Sequence, residues 1–216
     1  MIKIENPEIN GWKVAIRGMR NPMNSWDKSD SEIFADFTGQ RIIHLGDNDL
    51  RLMKQLVRAG SDHSKFMRMI TVTVDVTAPL YWWKEADTYK VGTVRNSCST
   101  MHKITAKAFT LDDFSCERLQ RDSLDVLNIV IEHLNRVRRA YLTSPEMLNG
   151  IFDKTLWWQL IQLLPSSYNQ RATLQLNYAV LRNIYFARRN HKLDEWITFC
   201  KWIETLPYSE LITQEG

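Results

Sequence analysis

Cysteine is scarce in this sequence: three residues in 216, Cys98, Cys116 and Cys200. Their odd number, wide scatter and lack of C-x-x-C spacing exclude a disulfide framework and give no zinc or redox motif. The three read as reduced thiols, and no metal site is expected. Long apolar runs are also missing. The opening segment MIKIENPEINGWKV is too polar for a signal peptide, and nothing later reaches the ~20 apolar residues needed to cross a bilayer. A cytoplasmic protein without a membrane partner is therefore expected. Nor does charge of one sign dominate, since 28 basic and 25 acidic residues leave a net charge of +3. That excess is too small to argue for nucleic acid unless it is concentrated on one face. Repeats, low-complexity tracts and linkers are absent, so residues 1–216 read as a single domain.

What is present is apolar and aromatic. Hydrophobic residues make up 44% of the chain, with eight Trp, eight Phe and seven Tyr, enough to build a core rather than a disordered tail. The clearest strand runs from Met69 to Thr77, where Ile70, Val72, Val74 and Val76 alternate with Thr71, Thr73, Asp75 and Thr77. Trp12 to Ile16 is a second, weaker strand candidate. Helical spacing dominates the rest. Asn48 or Asp49 is placed to cap a helix carrying Leu50, Met53, Leu56 and Val57 on one face, with Gly60 at its stop. Pro79 suits the first turn of a helix from Leu80 to about Lys90. Glu117 to Leu142 reads as one long amphipathic helix, and Asp153 opens another that Pro165 closes. Thr173 to Arg189 and Asp194 to Leu206 read as two more. The fold class expected is α+β, helix-rich with a small, mostly antiparallel sheet.

One stretch carries a motif frame. His63 to Lys103 reads HSKFMRMITVTVDVTAPLYWWKEADTYKVGTVRNSCSTMHK, which resembles the signature region of flavin-dependent thymidylate synthases, the thymidylate synthase complementing protein family. There a strand ends at Ala-Pro, a helix follows, and then comes Arg-His-Arg-x-x-Ser-x-Asn-Glu-x-Ser-x-Arg-Tyr. On the frame set by Ala78-Pro79 this chain reads Thr88-Tyr89-Lys90, Thr93, Arg95-Asn96, Cys98, Thr100 and Met101. A second match follows Leu164-Pro165, where Asn177, Ala179, Leu181 and Arg188 keep the family's spacing. Together the two stretches cover about a third of the chain.

The resemblance implies a homotetramer that binds FAD and dUMP and methylates dUMP to dTMP, with methylenetetrahydrofolate and NADPH as co-substrates. It implies a catalytic role for Arg188, whose fixed charge would stabilise enolate character on the uracil ring. Asn177, His63, Tyr89 and Lys90 fall at cofactor positions, and Cys98, Ser99 and Thr100, with Arg188, at substrate positions. The departures are chemical. Lys90 keeps a charge but not arginine's planar fork, whereas Tyr89 offers a ring for stacking. Cys98-Ser99-Thr100 replaces a Ser-x-Arg phosphate grip with neutral groups.

Alternative readings stay open beside this one. Arg188, Arg189 and His63 suit solvated surface positions, and residues 96–100 suit a polar loop. Cys98 has His102 four residues on but no demonstrable activating partner. Arg17, Arg20 or Arg182 could replace the missing arginines. Subunit-interface packing is preferred for the pairs Trp82-Trp83 and Trp157-Trp158. Arg136, Arg138 and Arg139 suit the end of the long helix. The rival functions are a non-catalytic nucleotide-binding homologue and a helical nucleic-acid-binding or assembly protein.

Overall fold

The structure is a computed structural model that describes residues 2–35 and 41–215. Its strands are β1 Lys3–Asn10, β2 Glu32–Ala35, β3 Arg41–His44, β4 Thr71–Pro79, β5 Val94–Ser97 and β6 Asn169–Asn177. The first five helices are α1 Trp12–Arg20, α2 Asp47–Arg58, α3 Leu80–Ala86, α4 Thr100–Lys103 and α5 Arg121–Leu142. The others are α6 Pro145–Leu148, α7 Lys154–Leu163, α8 Tyr178–Arg188, α9 Asp194–Glu204 and α10 Glu210–Thr213. The fold is helix-rich α+β with a small antiparallel sheet, as the patterning predicts. Strands β1, β4, β6 and β5 form a four-stranded sheet in that order. Strands β2 and β3 pair antiparallel, Ile33 opposite Ile43 and Phe34 opposite Ile42.

The chain's contacts cluster into two compact units. The first holds Ile2 and Lys3 with Val76–Thr88 and Asn96–Ala172. Its core is built from Ile104, Phe109, Phe114, Leu127, Ile131, Leu134, Val137 and Leu160. The α5 members recur every three or four residues, the period that puts one helix face inside. Trp82 and Trp83 are almost fully buried within this unit, and Trp83 Nε1 donates to the Gln170 carbonyl at 2.9 Å. The pair therefore packs inside its own chain, which corrects the interface expectation. Trp158, by contrast, is exposed. Arg138 Nε donates to the Thr105 carbonyl and Arg136 bonds His133, so two of the three clustered arginines hold local structure.

The second unit comprises Ile4–Asp75, Tyr89–Arg95 and the chain from Thr173 onward. Two expectations are overturned in it. Trp12 to Ile16 is the start of α1, not a strand, because Trp12, Ala15, Ile16 and Met19 bury one helical face. Thr173 to Asn177 belongs to β6, not to a helix. The alternation of buried Ala172, Leu174 and Leu176 with exposed neighbours has period two and continues straight into α8. In the first unit, helix α3 ends at Ala86, short of the expected Lys90.

A buried ion pair organises the first half of this unit. Asp49, at the start of α2, accepts from Arg20 Nε at 2.7 Å, from the Ser29 and Ser31 hydroxyls, and from the backbone N–H of Asp30 and Ser31. Arg20 completes its fork on the carbonyls of Ser25 and Lys28. Burial alone would raise the Asp49 carboxyl. Hydrogen bonds from Ser31, Ser29 and Arg20, with the Arg20 charge, outweigh it and hold the carboxyl below its ordinary range. Asp49 is thus not the cap of α2. Asp30 caps it instead, accepting from the N–H of Asn48 and Asp49.

The end of the chain is tied to α8 in the same unit. Arg182 Nη1 donates to the carbonyls of Ile212 and Gln214 at 2.8 and 2.6 Å, with its guanidinium 4.7 Å from the Phe186 ring centre. Arg189 pairs with Glu215.

Candidate functional site

Helix α8 begins where β6 stops, and Asn177 makes the junction. Its side-chain oxygen accepts the Val180 N–H at 3.0 Å, a helix N-cap that satisfies one of the end donors. Asn177 and Arg188 therefore stand at opposite ends of one helix, eleven residues apart. Asn177 flanks the first turn from outside the helix, and Arg188 is its last residue.

The segment after Thr88 meets α8. Gly92 adopts φ +75°, and a Cβ there would lie 2.9 Å from Asn177 Nδ2 and 3.2 Å from Val180 Cγ2. The backbone thus comes as close to the first turn of α8 as only glycine permits. Three residues earlier, Tyr89 reaches the last residue of the same helix. Arg188 Nε donates to the Tyr89 hydroxyl at 2.9 Å, and its guanidinium carbon lies 5.6 Å from the Tyr89 ring centre. Trp196, on α9, forms another wall: its ring centre is 5.0 Å from the guanidinium and 6.0 Å from Tyr89, inclined at 67°. These are cation–π distances. Trp196 is 1% exposed and packs edge-on to Phe199 and His191.

Trp196 is the member that sequence reasoning missed. It follows Arg188 by eight residues, across a turn closed by the His191 N–H on the Arg188 carbonyl and by His191 Nδ1 accepting from Leu193 N–H. No spacing rule for a single helix brings such a pair together. Cys200, one turn further along α9, has its thiol pushed up to about 11, chiefly by burial and then by Glu204, with the Arg188 charge opposing.

The structure thus brings Arg188, Tyr89 and Asn177 to one helix. Lys90 is exposed beside Tyr89, and His63 is exposed in the turn after α2. Cys98, Ser99 and Thr100 belong to the first unit. There Cys98 is exposed and its backbone is held by Arg171 and Gln170, while Ser99 Oγ accepts the His102 N–H as the cap of α4. Of the arginines considered as replacements, Arg20 is committed to Asp49 and Arg182 to the chain end. Arg17 is exposed on α1 and lines a cleft of ≈ 900 Å³ with Trp12, Ile16, Ile33 and Ile43, a cleft that includes none of the predicted site residues. Among the described residues no cluster of three His, Cys, Asp or Glu is placed to hold a metal, and no helix is long and apolar enough to cross a membrane.

No protein-family model matches the chain, and no curated protein matches it in sequence. Solved structures do match in fold. Thymidylate Synthase X (ThyX) from Helicobacter pylori, with FAD and dUMP, superposes with a TM-score of 0.67 at 15% identity, over 98% of this chain and 96% of that one. A second structure of the H. pylori flavin-dependent enzyme, also complexed with FAD and dUMP, gives a TM-score of 0.65 at 15% identity, over 97% and 96%. The chain therefore has a ThyX-like fold along nearly its whole length.

Proposed function

We propose that this chain is a flavin-dependent thymidylate synthase-like protein that binds a uracil nucleotide and methylates it, dUMP to dTMP. The observation that carries the reading is Arg188. The residue that the sequence frame assigns to the uracil ring sits, within this ThyX-like fold, with its guanidinium already oriented by a hydrogen bond and two aromatic rings. A cation fixed before the reaction stabilises developing enolate charge without reorganising at the moment of transfer.

The residues around it suit a planar, anionic cofactor such as FAD. Half-buried Tyr89 gives an aromatic ring, backed by buried Trp196, and Arg188 and exposed Lys90 give positive charge. Lys90 and Tyr89 would hold it, and the resemblance adds His63, exposed in the turn after α2. When bound, FAD supplies the hydride that reduces the transferred methylene group, with methylenetetrahydrofolate as carbon donor and NADPH as reductant. The chain's own part is to hold the base against Arg188, and the resemblance assigns the phosphate to Ser99 and Thr100. We further propose a homotetramer. Val126 and Ile129, neighbours on α5 and 60% and 65% exposed, support an assembly that covers them.

A second reading keeps the nucleotide and drops the reaction. It is favoured by Asn177, whose side-chain oxygen is spent on capping α8, and by the neutral Cys98-Ser99-Thr100 at the phosphate position. The visible absorption spectrum of purified protein, before and after incubation with FAD and removal of free ligand, decides between them. A retained flavin band followed by deuterium-traceable methylation of dUMP is the expected outcome. Colourless protein that still binds dUMP would establish the non-catalytic reading.

A further inference from the structure

We infer that Tyr89 is the positioning residue for Arg188, its phenol fixing the guanidinium before a ligand arrives. The inference rests on the reading of Arg188 as the uracil-binding cation.

A guanidinium at the end of a helix has four rotatable side-chain bonds, and a ligand that needs its planar fork must first restrict them. Here the restriction is built in from several directions. The Nε–H is directed at the Tyr89 oxygen, which fixes the edge of the plane. The Tyr89 and Trp196 rings, inclined at 67° to each other, leave the guanidinium little freedom to rotate about that bond. Tyr89 is itself held in place. Gly92, three residues on, is pressed against Asn177 and Val180 at the opposite end of α8, so the 89–92 segment is referenced to the same helix that carries Arg188. A tyrosine oxygen that accepts from Nε keeps its own proton, and so stands beside the cation as a second donor for one electronegative atom. The chemical class that suits a fixed cation and a phenol side by side is a planar heterocycle with a carbonyl that takes on negative charge. A uracil nucleotide is such a ligand.

The test is a double-mutant cycle read by calorimetric binding of dUMP. Tyr89→Phe keeps the ring and removes the acceptor, and is expected to weaken dUMP binding about tenfold with a melting temperature within about 2 °C of the parent. Arg188→Lys keeps a charge without an Nε–H. In that background Tyr89→Phe is expected to have no further effect, because the tyrosine acts through the arginine. Tyr89→His, which offers a ring nitrogen to Nε, is expected to restore affinity to within about threefold above pH 7. Equal dUMP binding by Tyr89→Phe and the parent overturns the inference and leaves the functional reading intact. An equal loss from Tyr89→Phe in both backgrounds also overturns it, since the phenol would then act independently of Arg188. A parent protein that does not bind dUMP at millimolar concentration overturns the functional reading itself, and the role of Tyr89 falls with it.

Discussion

Asp49 collects five hydrogen bonds on two oxygens in a site closed to solvent. Removing its charge while keeping its shape leaves Arg20 buried without a counter-ion, so Asp49→Asn is expected to lower the unfolding free energy by about 3 kcal/mol in urea denaturation. The pH dependence has a definite sign. Because the folded carboxyl titrates below its unfolded counterpart, its contribution is complete above the unfolded value of about 4 and is lost as pH falls through the folded value. Urea midpoints should therefore fall below about pH 4 in the parent, and that fall should be shallower in Asp49→Asn. The thiols separate just as clearly. Cys98 is exposed and Cys200 is buried with its thiol pushed up to about 11. A thiol-specific reagent at pH 7.5 should modify Cys98 in the native protein and Cys200 only after denaturation; rapid native labelling of Cys200 would contradict the packing of α9.

At the scale of elements, the junction between β6 and α8 bears the most weight. Asn177→Ala removes the cap and is expected to cost about 1 kcal/mol of stability in the same denaturation assay. The same element shows what a sequence can and cannot disclose. Strand β4 was legible because Ile70, Val72, Val74 and Val76 alternate without interruption. Helix α5 was legible because its apolar spacing persists through many turns, and Asp153 was correctly placed as the cap of α7. Residues 169–177 were not, since Leu174 and Leu176 are followed at once by α8, and a window spanning the junction averages two periods. Trp12 to Ile16 failed for the opposite reason: five residues are too few to separate periods of 2 and 3.6. The spacing after Leu164-Pro165 singles out Arg188 and Asn177 as candidates. Their contacts were not legible. The Tyr89 bond spans 99 positions, and Trp196 arrives only because a turn reverses the chain.

At the scale of the whole molecule, assembly is open to direct measurement. Light scattering coupled to size-exclusion chromatography should give a mass near four chains of 25.4 kDa. Charge substitution at Ile129, such as Ile129→Glu, should shift that mass downward if α5 lies in a subunit contact. An unchanged mass would place the contact elsewhere. The nucleic-acid rival predicts an affinity that collapses with added salt as counterions are released. With a net charge of +3 and two of the α5 arginines engaged internally, little such binding is expected.

The bond from Arg182 to the carbonyls of Ile212 and Gln214 joins the last residues to the helix that ends in Arg188, six positions later. A bulky fusion or a protease cut placed after residue 211 would unfasten that helix from its far side. For anyone labelling or immobilising this protein, a tag beyond residue 211 is therefore not a neutral addition: it acts on the helix that carries Arg188.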